Sequence, residues 1–132
     1  QPIRLFNFGR MRRDFTYVDD VIEAVERLIA HVPAKSDAPP GRELDPASST
    51  APWRIYNIGN NRTVEISRVV ELLEQELGQK AKIELVPMQP GDVAETCADV
   101  DDLMRDVDFR PATPIELGVR NFIAWYRDFH RR

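Results

Sequence analysis

The chain has 132 residues with a formal net charge of -4 at pH 7, and its 42% hydrophobic and 30% charged content is typical of one globular domain. The acidic balance argues against a nucleic-acid binder, which normally presents a basic face. No apolar run approaches the roughly 20 residues that span a bilayer, and no signal-peptide pattern is present, so we expect a cytoplasmic protein that does not bind membranes.

The metal-binding residue types are few and scattered. The single cysteine, Cys97, cannot form an internal disulfide, and with His31 and His130 it gives no zinc-binding spacing. An aspartate run follows at positions 99, 101, 102, 106 and 108, but Leu103 stands where an EF-hand needs an oxygen ligand. We expect no metal site, and we interpret the run as a solvated helix face.

The first half of the chain alternates strand-like and helical segments. Residues 3–8 are rich in β-formers and are closed by Gly9, which predicts a largely buried strand and a turn. Thr16 and Asp19 fit a capping box at the start of a helix. Apolar residues then recur at helical spacing and predict one buried stripe: Val18, Val21, Ile22, Val25, Leu28, Ile29 and Val32. Residues 33–52 hold half of the ten prolines and predict a surface loop.

The second half repeats the pattern. Residues 54–58 predict a second strand, residues 66–77 a second helix stopped by Gly78, and residues 83–86 a third strand. A polar turn at 87–92 and a short helix around 101–107 follow. A final helix is predicted from a capping threonine, a proline and a glutamate at 113, 114 and 116, with this buried stripe: Ile115, Val119, Phe122, Ile123 and Tyr126.

Alternating strands and helices favour an α/β fold, with few parallel strands, three to four helices and helical crossovers. Two or three parallel strands are too few for a stable sheet, because parallel sheets normally have more strands and are covered on both faces. The chain also starts at Gln1 without a methionine and enters an apolar run at once. We therefore expect a piece of a longer chain that completes a sheet supplied elsewhere.

Arg13 lies just after the first predicted strand. Ligands of open α/β sheets bind beyond the carboxyl ends of the strands, and a guanidinium presents paired donors to phosphate oxygens. A diphosphate is therefore one possible partner of Arg13. The alternative is that Arg10, Arg12 and Arg13 form only a solvated turn.

Five motifs in order carry a family resemblance over essentially the whole chain: "PIRLFNFG", "RMRRDFTYVDDVIEAV", "YNIGNNRTVEI", "LVPMQPGDV" and "FRPATPIELGVRNFIAWYRDF". Together they resemble the carboxyl-terminal part of NAD-dependent nucleotide-sugar epimerases of the extended short-chain dehydrogenase/reductase superfamily. The motifs "RDFTYVDD" and "PMQPGDV" are most similar to those of UDP-glucuronate 4-epimerases. The implied fold is the carboxyl-terminal part of a Rossmann-like enzyme, with residues 1–132 as its nucleotide-sugar binding region.

The resemblance also implies substrate-binding residues. Arg13 matches the arginine that contacts the substrate diphosphate, Phe6 the position that packs uracil or ribose, and Gln89 with Asp92 a second polar cluster at the nucleotide. The UDP-galactose branch has arginine at the position of Gln89 and usually tyrosine at that of Phe15, and the glutamine at position 89 favours the uronate branch. Alternatives stay open for two of these residues: Asp92 closes its turn or pairs with Arg13, and Phe6 belongs to the core. Tyr56 and Asn57 fix the second strand or line the site.

The family's catalytic equipment is missing from this chain. A tyrosine with a lysine four residues later is absent, because Val21, Asn60 and His130 stand four after the three tyrosines, and the glycines are too scattered for a dinucleotide-binding turn. We expect no catalytic residue and no NAD-binding residue here. NAD would be bound by an amino-terminal domain outside this chain, and this segment alone would be inactive.

The resemblance implies an enzyme that interconverts UDP-glucuronate and UDP-galacturonate, in which this region anchors UDP while the other domain performs the hydride chemistry. The expected partners are the UDP-sugar and that NAD-binding domain, and the full-length enzyme could be a homodimer. Two alternatives remain: a free-standing binding or interaction module without chemistry, and part of a related dehydratase or reductase. Isolated, the chain would expose surface that normally packs on the other domain, so we expect it to associate.

Overall fold

A computed structural model describes residues 1–35 and 46–130. Within these ranges the helices are α1 (Val18–Ala30), α2 (Ile66–Leu77), α3 (Asp101–Val107) and α4 (Ile115–His130), and the strands are β1 (Ile3–Leu5), β2 (Arg12–Asp14), β3 (Thr63–Glu65) and β4 (Ile83–Leu85). The expectation of an α/β fold with few strands and three to four helices is confirmed. Of the predicted loop at 33–52, residues 36–45 lie outside the described part of the chain.

Two small ladders organise the strands. β1 pairs with β4 in parallel, with Ile3 opposite Ile83, as expected for strands joined by crossovers. β2 pairs with β3 antiparallel, with Arg13 opposite Val64. The β2–β3 pair was missed by the sequence patterns, because its residues are mostly charged and show no apolar alternation.

The first predicted strand is shorter than expected. It ends at Leu5, since Phe6–Gly9 form a 3-10 turn in which Asn7 and Phe8 have φ of 49° and 54°. The second predicted strand, residues 54–58, is wrong as a named strand: it is represented by one antiparallel bridge, between Ser48 and Arg54. The third is confirmed as β4.

The helix positions were predicted well and their caps less so. α2 ends at Gly78, which takes the left-handed conformation as expected, and α3 covers the predicted residues. The capping box at Thr16 is wrong, because Tyr17 is the N-cap of α1 and makes no side-chain capping bond. The hydroxyl of Thr113 donates to Asp20 Oδ1 at 2.9 Å, so it ties the start of α4 to α1 instead of capping α4.

The core lies between α2 and α4. Leu72, Val119 and Ile123 are buried there, with Leu73 and Ile115 packed against them. Two members of the predicted α4 stripe, Phe122 and Tyr126, are about half exposed, and so is most of the α1 stripe. The expected burial is therefore wrong for most of the α1 stripe and for these two α4 residues, whereas it is confirmed for Val119 and Ile123. No helix among the described residues is long and apolar enough to cross a membrane.

Candidate functional site

Arg13 lies in the middle of β2, with its guanidinium held by the backbone and by one carboxylate. Its Nη1 donates to the carbonyl of Arg12 at 2.8 Å and, more weakly, to that of Ala94 at 3.4 Å. Its Nη2 donates to Asp92 Oδ1 at 3.1 Å. The side chain keeps 26% of its surface exposed. The charged group is therefore oriented by the protein and still reachable from solvent.

Asp92 and Gln89 belong to one turn. The N–H of Asp92 donates to the carbonyl of Gln89 at 3.2 Å, and Asp92 Oδ1 also accepts the N–H of Val93 at 2.8 Å. Both open alternatives for Asp92 are thus found together: it pairs with Arg13 and it helps to close its turn. The side chain of Gln89 is exposed. The structure brings Arg13, Asp92 and the Gln89 turn together.

Phe6 follows β1, which belongs to the other strand ladder. It starts the 3-10 turn after β1, is partly buried, and has the guanidinium carbon of Arg4 5.5 Å from its ring centroid. β1 pairs with β4, whereas Arg13 is on the β2–β3 ladder.

Asp14, next to Arg13, was overlooked by the sequence reasoning. Its carboxylate accepts three backbone N–H groups: Asn60 at 2.9 Å, Asn61 at 3.0 Å and Ala98 at 3.0 Å. Gly59 is required at this junction, because a Cβ there would lie 2.4 Å from the Cβ of Ala98 and 2.7 Å from Asp14 Oδ2. An acidic residue followed by aromatics carries no sequence signal for such long-range bonds.

Arg54, Tyr56 and two aspartates of α3 form a second polar cluster. Arg54 pairs with Asp102 at 2.8 Å and with Asp106 at 3.3 Å, and the Tyr56 hydroxyl donates to Asp106 Oδ2 at 2.8 Å. Burial, followed by the hydrogen bond to Asp106, raises the pKa of Tyr56 to about 12. The pKa of Asp102 is lowered, chiefly by its hydrogen bond to Arg54. The interpretation of the aspartates as only a solvated face is therefore wrong for these two.

Tyr56 fixes its segment on α3, which was one of its two expected roles.

Among residues 1–35 and 46–130, no group of three or more His, Cys, Asp or Glu side chains could hold a metal ion.

The described residues contain no glycine-rich turn of the kind that binds the diphosphate of NAD. A dinucleotide needs a glycine-rich turn that leads from a strand directly into a helix. Here β1 leads into a 3-10 turn and then into β2, β3 leads directly into α2 without a glycine, and the turn after β4 leads to an irregular segment before α3.

The combined arrangement, with its parallel pair, crossover helices and α2–α4 core, is that of the extended short-chain dehydrogenase/reductase enzymes that act on nucleotide-sugars. A structure of MoeE5 in complex with UDP-glucuronic acid and NAD superposes with a TM-score of 0.73 at 25% identity, covering 98% of this chain and 38% of that one. The expected fold is thereby confirmed.

Sequence comparison with curated proteins identifies more specifically which nucleotide-sugar enzymes the chain resembles. "Protein CapI" of Staphylococcus aureus is 46% identical over 132 residues, and the "Probable UDP-glucuronate 4-epimerase" of Rhizobium meliloti (strain 1021) is 40% identical over 134 residues. Each alignment covers 100% of this chain, but only 40% and 39% of the respective relative. No protein-family model matches the chain. The chain is homologous to one part of UDP-glucuronate 4-epimerase-like proteins, which confirms the sequence resemblance.

Proposed function

We propose that residues 1–132 are the nucleotide-sugar binding region of an NAD-dependent UDP-sugar 4-epimerase, and that its substrate pair is UDP-glucuronate and UDP-galacturonate. In this proposal Arg13 binds the diphosphate, Asp92 and Gln89 lie beside the nucleotide, and Phe6 packs on uracil or ribose. NAD is bound by a separate domain of the same protein. The observation that carries the proposal is the Arg13–Asp92 pair, at the position where the homologous motif predicts the diphosphate contact.

The geometry around Arg13 suits a charged oxygen ligand. The two backbone carbonyls fix the direction of the guanidinium, and the bond to Asp92 uses one N–H of Nη2. The remaining N–H donors can approach two phosphate oxygens side by side, which is the strongest arrangement for arginine. Asp92 partly offsets the positive charge, so a diphosphate has to compete with this carboxylate for Arg13.

This region would contribute binding and orientation to the reaction. Epimerisation at a sugar carbon requires the sugar to turn while the nucleotide stays bound, and contacts remote from the reacting carbon can supply that anchoring energy. Uronate as the sugar is supported by the 40% identity to the Rhizobium meliloti relative and by the turn "PMQPGDV".

Replacement of Arg13 tests the anchoring role. In the full-length protein, Arg13→Ala should raise the dissociation constant for UDP about tenfold to a hundredfold, since hydrogen bonds to charged groups contribute ~1.5–3 kcal/mol. Isothermal titration calorimetry gives the constant directly. Arg120→Ala is the matched control, because Arg120 is an exposed arginine of α4 that pairs with Glu76. Equal UDP affinity in both variants would contradict the proposal.

The substrate is tested by turnover of the full-length protein with NAD. UDP-glucuronate should yield UDP-galacturonate, while UDP-glucose should be a poorer substrate. Loss of water from the sugar, or net reduction of a keto-sugar, would instead identify a dehydratase or a reductase of the same fold.

A further inference from the structure

Asp14 joins the two neighbours of β2. On one side, its carboxylate binds the N–H groups of Asn60 and Asn61, directly before β3 begins at Thr63. On the other side, it binds the N–H of Ala98. A single side chain therefore bridges segments that are 46 and 84 residues away in sequence.

The segment on the Ala98 side is the one that carries Asp92. Between these two residues the chain runs along β2: the N–H of Arg12 donates to Ala94 at 2.8 Å, and the N–H of Thr96 donates to Arg12 at 3.2 Å. Arg13 also uses the carbonyl of Ala94 to orient its guanidinium. Asp14 therefore extends to Ala98 the attachment to β2 of the segment that carries Ala94 and Asp92.

The segment on the Asn60 side fixes the opposite edge of the same strand. The antiparallel register places Val64 opposite Arg13 and Thr63 opposite Asp14. Because Asn60 and Asn61 are held by Asp14, the turn that leads into β3 cannot slide along β2. Gly59 allows this close approach, since any larger residue would meet Asp14 and Ala98.

We infer that Asp14 is a positioning residue for the Arg13 site: it sets both edges of β2, and so places Arg13 and Asp92 where a nucleoside diphosphate can bind. The inference rests on the proposed function and extends it to a residue that does not contact the ligand. A carboxylate is needed, because Oδ2 accepts two N–H groups, from Asn61 and Ala98. Asparagine would bring donor hydrogens to at least one of the acceptor positions.

The test uses the full-length protein and UDP as the probe. Asp14→Asn should raise the dissociation constant for UDP by about tenfold, because small displacements of binding groups have large effects. Asp20→Asn is the matched control. The carboxylate of Asp20 also accepts a backbone N–H, from Thr113 at 2.9 Å, and a second hydrogen bond from the hydroxyl of Thr113. These bonds join α1 to the start of α4 and not to β2. Asp20→Asn should lower the melting temperature and leave UDP affinity within about twofold.

Combination with Arg13→Ala separates positioning from general stability. If Asp14 acts through Arg13, Asp14→Asn should lose most of its effect on UDP affinity in the Arg13→Ala background. Full additivity of the two changes would overturn the inference. Gly59→Ala is a second variant that opens the same junction without altering charge, and it should also weaken UDP binding.

Amide hydrogen exchange of the unmutated protein provides a measurement that needs no variant. The amides of Asn60, Asn61 and Ala98 should exchange slowly, and rapid exchange at all three would overturn the inference. UDP binding that requires Arg13 and not Asp14 would overturn only this inference. The absence of UDP binding by the unmutated protein would overturn the proposed function and the inference with it.

Discussion

Neighbouring side chains of β2 have separate tasks because side chains alternate across a strand. Arg12 binds the Thr63 hydroxyl at 3.0 Å and pairs with Glu65 and Glu95, both at 3.5 Å. Arg13 points to Asp92 instead. A polar cavity of about 330 Å3 opens beside Arg12 and not beside the Arg13–Asp92 pair. Of the two arginines, Arg12 holds the strands together, and Arg13 is the one with donors to offer a ligand.

Tyr56→Phe should destabilise the 132-residue chain by about 1–2 kcal/mol near neutral pH, because it removes a hydrogen bond to the charged Asp106. The effect should depend on pH. The folded state raises the pKa of Tyr56 from 10.0 to about 12, so it favours the protonated phenol. That contribution is fully present below about pH 10 and is lost as the pH rises towards about 12.

Urea unfolding at a series of pH values measures both effects. The unmutated chain should lose stability between about pH 10 and 12 more steeply than Tyr56→Phe. Tyr126→Phe is the control, since Tyr126 is 44% exposed on α4. Identical pH dependence in the Tyr56→Phe variant and the unmutated chain would show that Tyr56 does not carry this contribution.

At the scale of elements, α2 ends at a residue whose conformation glycine favours. Gly78 has φ of 68° and ψ of 24°, and its N–H donates to Glu74 at 2.9 Å. No atom lies within 4 Å of an added Cβ, so Gly78→Ala would test backbone strain alone. We expect Gly78→Ala to lower the free energy of unfolding by about 1 kcal/mol, as measured by urea unfolding. Gly78→Asn should lower it less, because asparagine tolerates this conformation better. Equal costs for both variants would contradict this explanation.

Helices were predictable from sequence here because their signals are local. α2 and α3 follow from apolar spacing, aspartate positions and one terminal glycine. The strands are only three residues long, and β2 and β3 are defined by pairing between residues distant in sequence, such as Arg13 with Val64, which no local pattern contains. The site divides in the same way: the motif pointed to Arg13 and Asp92, whereas the role of Asp14 depends on backbone groups whose positions only the folded chain reveals.

At the scale of the whole molecule, one apolar surface lacks a partner among the described residues. Along α1, Val18, Ile22, Val25 and Ile29 form a helical stripe that is 41% exposed or more at every position. At its start, Val18 lines an apolar groove of about 410 Å3 together with Tyr17 and Phe122. Beyond the groove, α4 presents Trp125 and Phe129, stacked with ring centroids 5.3 Å apart. A protein of the relatives' length has further polypeptide with which to cover such a surface.

We therefore expect Ile29→Gln to act in opposite directions in the two forms of the protein. In the 132-residue chain, where Ile29 is 77% exposed, it should reduce self-association in sedimentation velocity, because it removes exposed apolar surface. In the full-length protein it should lower stability by about 1.5–3 kcal/mol, the cost of losing one buried isoleucine. Glu26→Gln, also on exposed α1 surface, is the control and should change neither property. If the full-length protein tolerates Ile29→Gln as well as Glu26→Gln, the stripe is not covered by the rest of the chain, and another molecule would have to cover it.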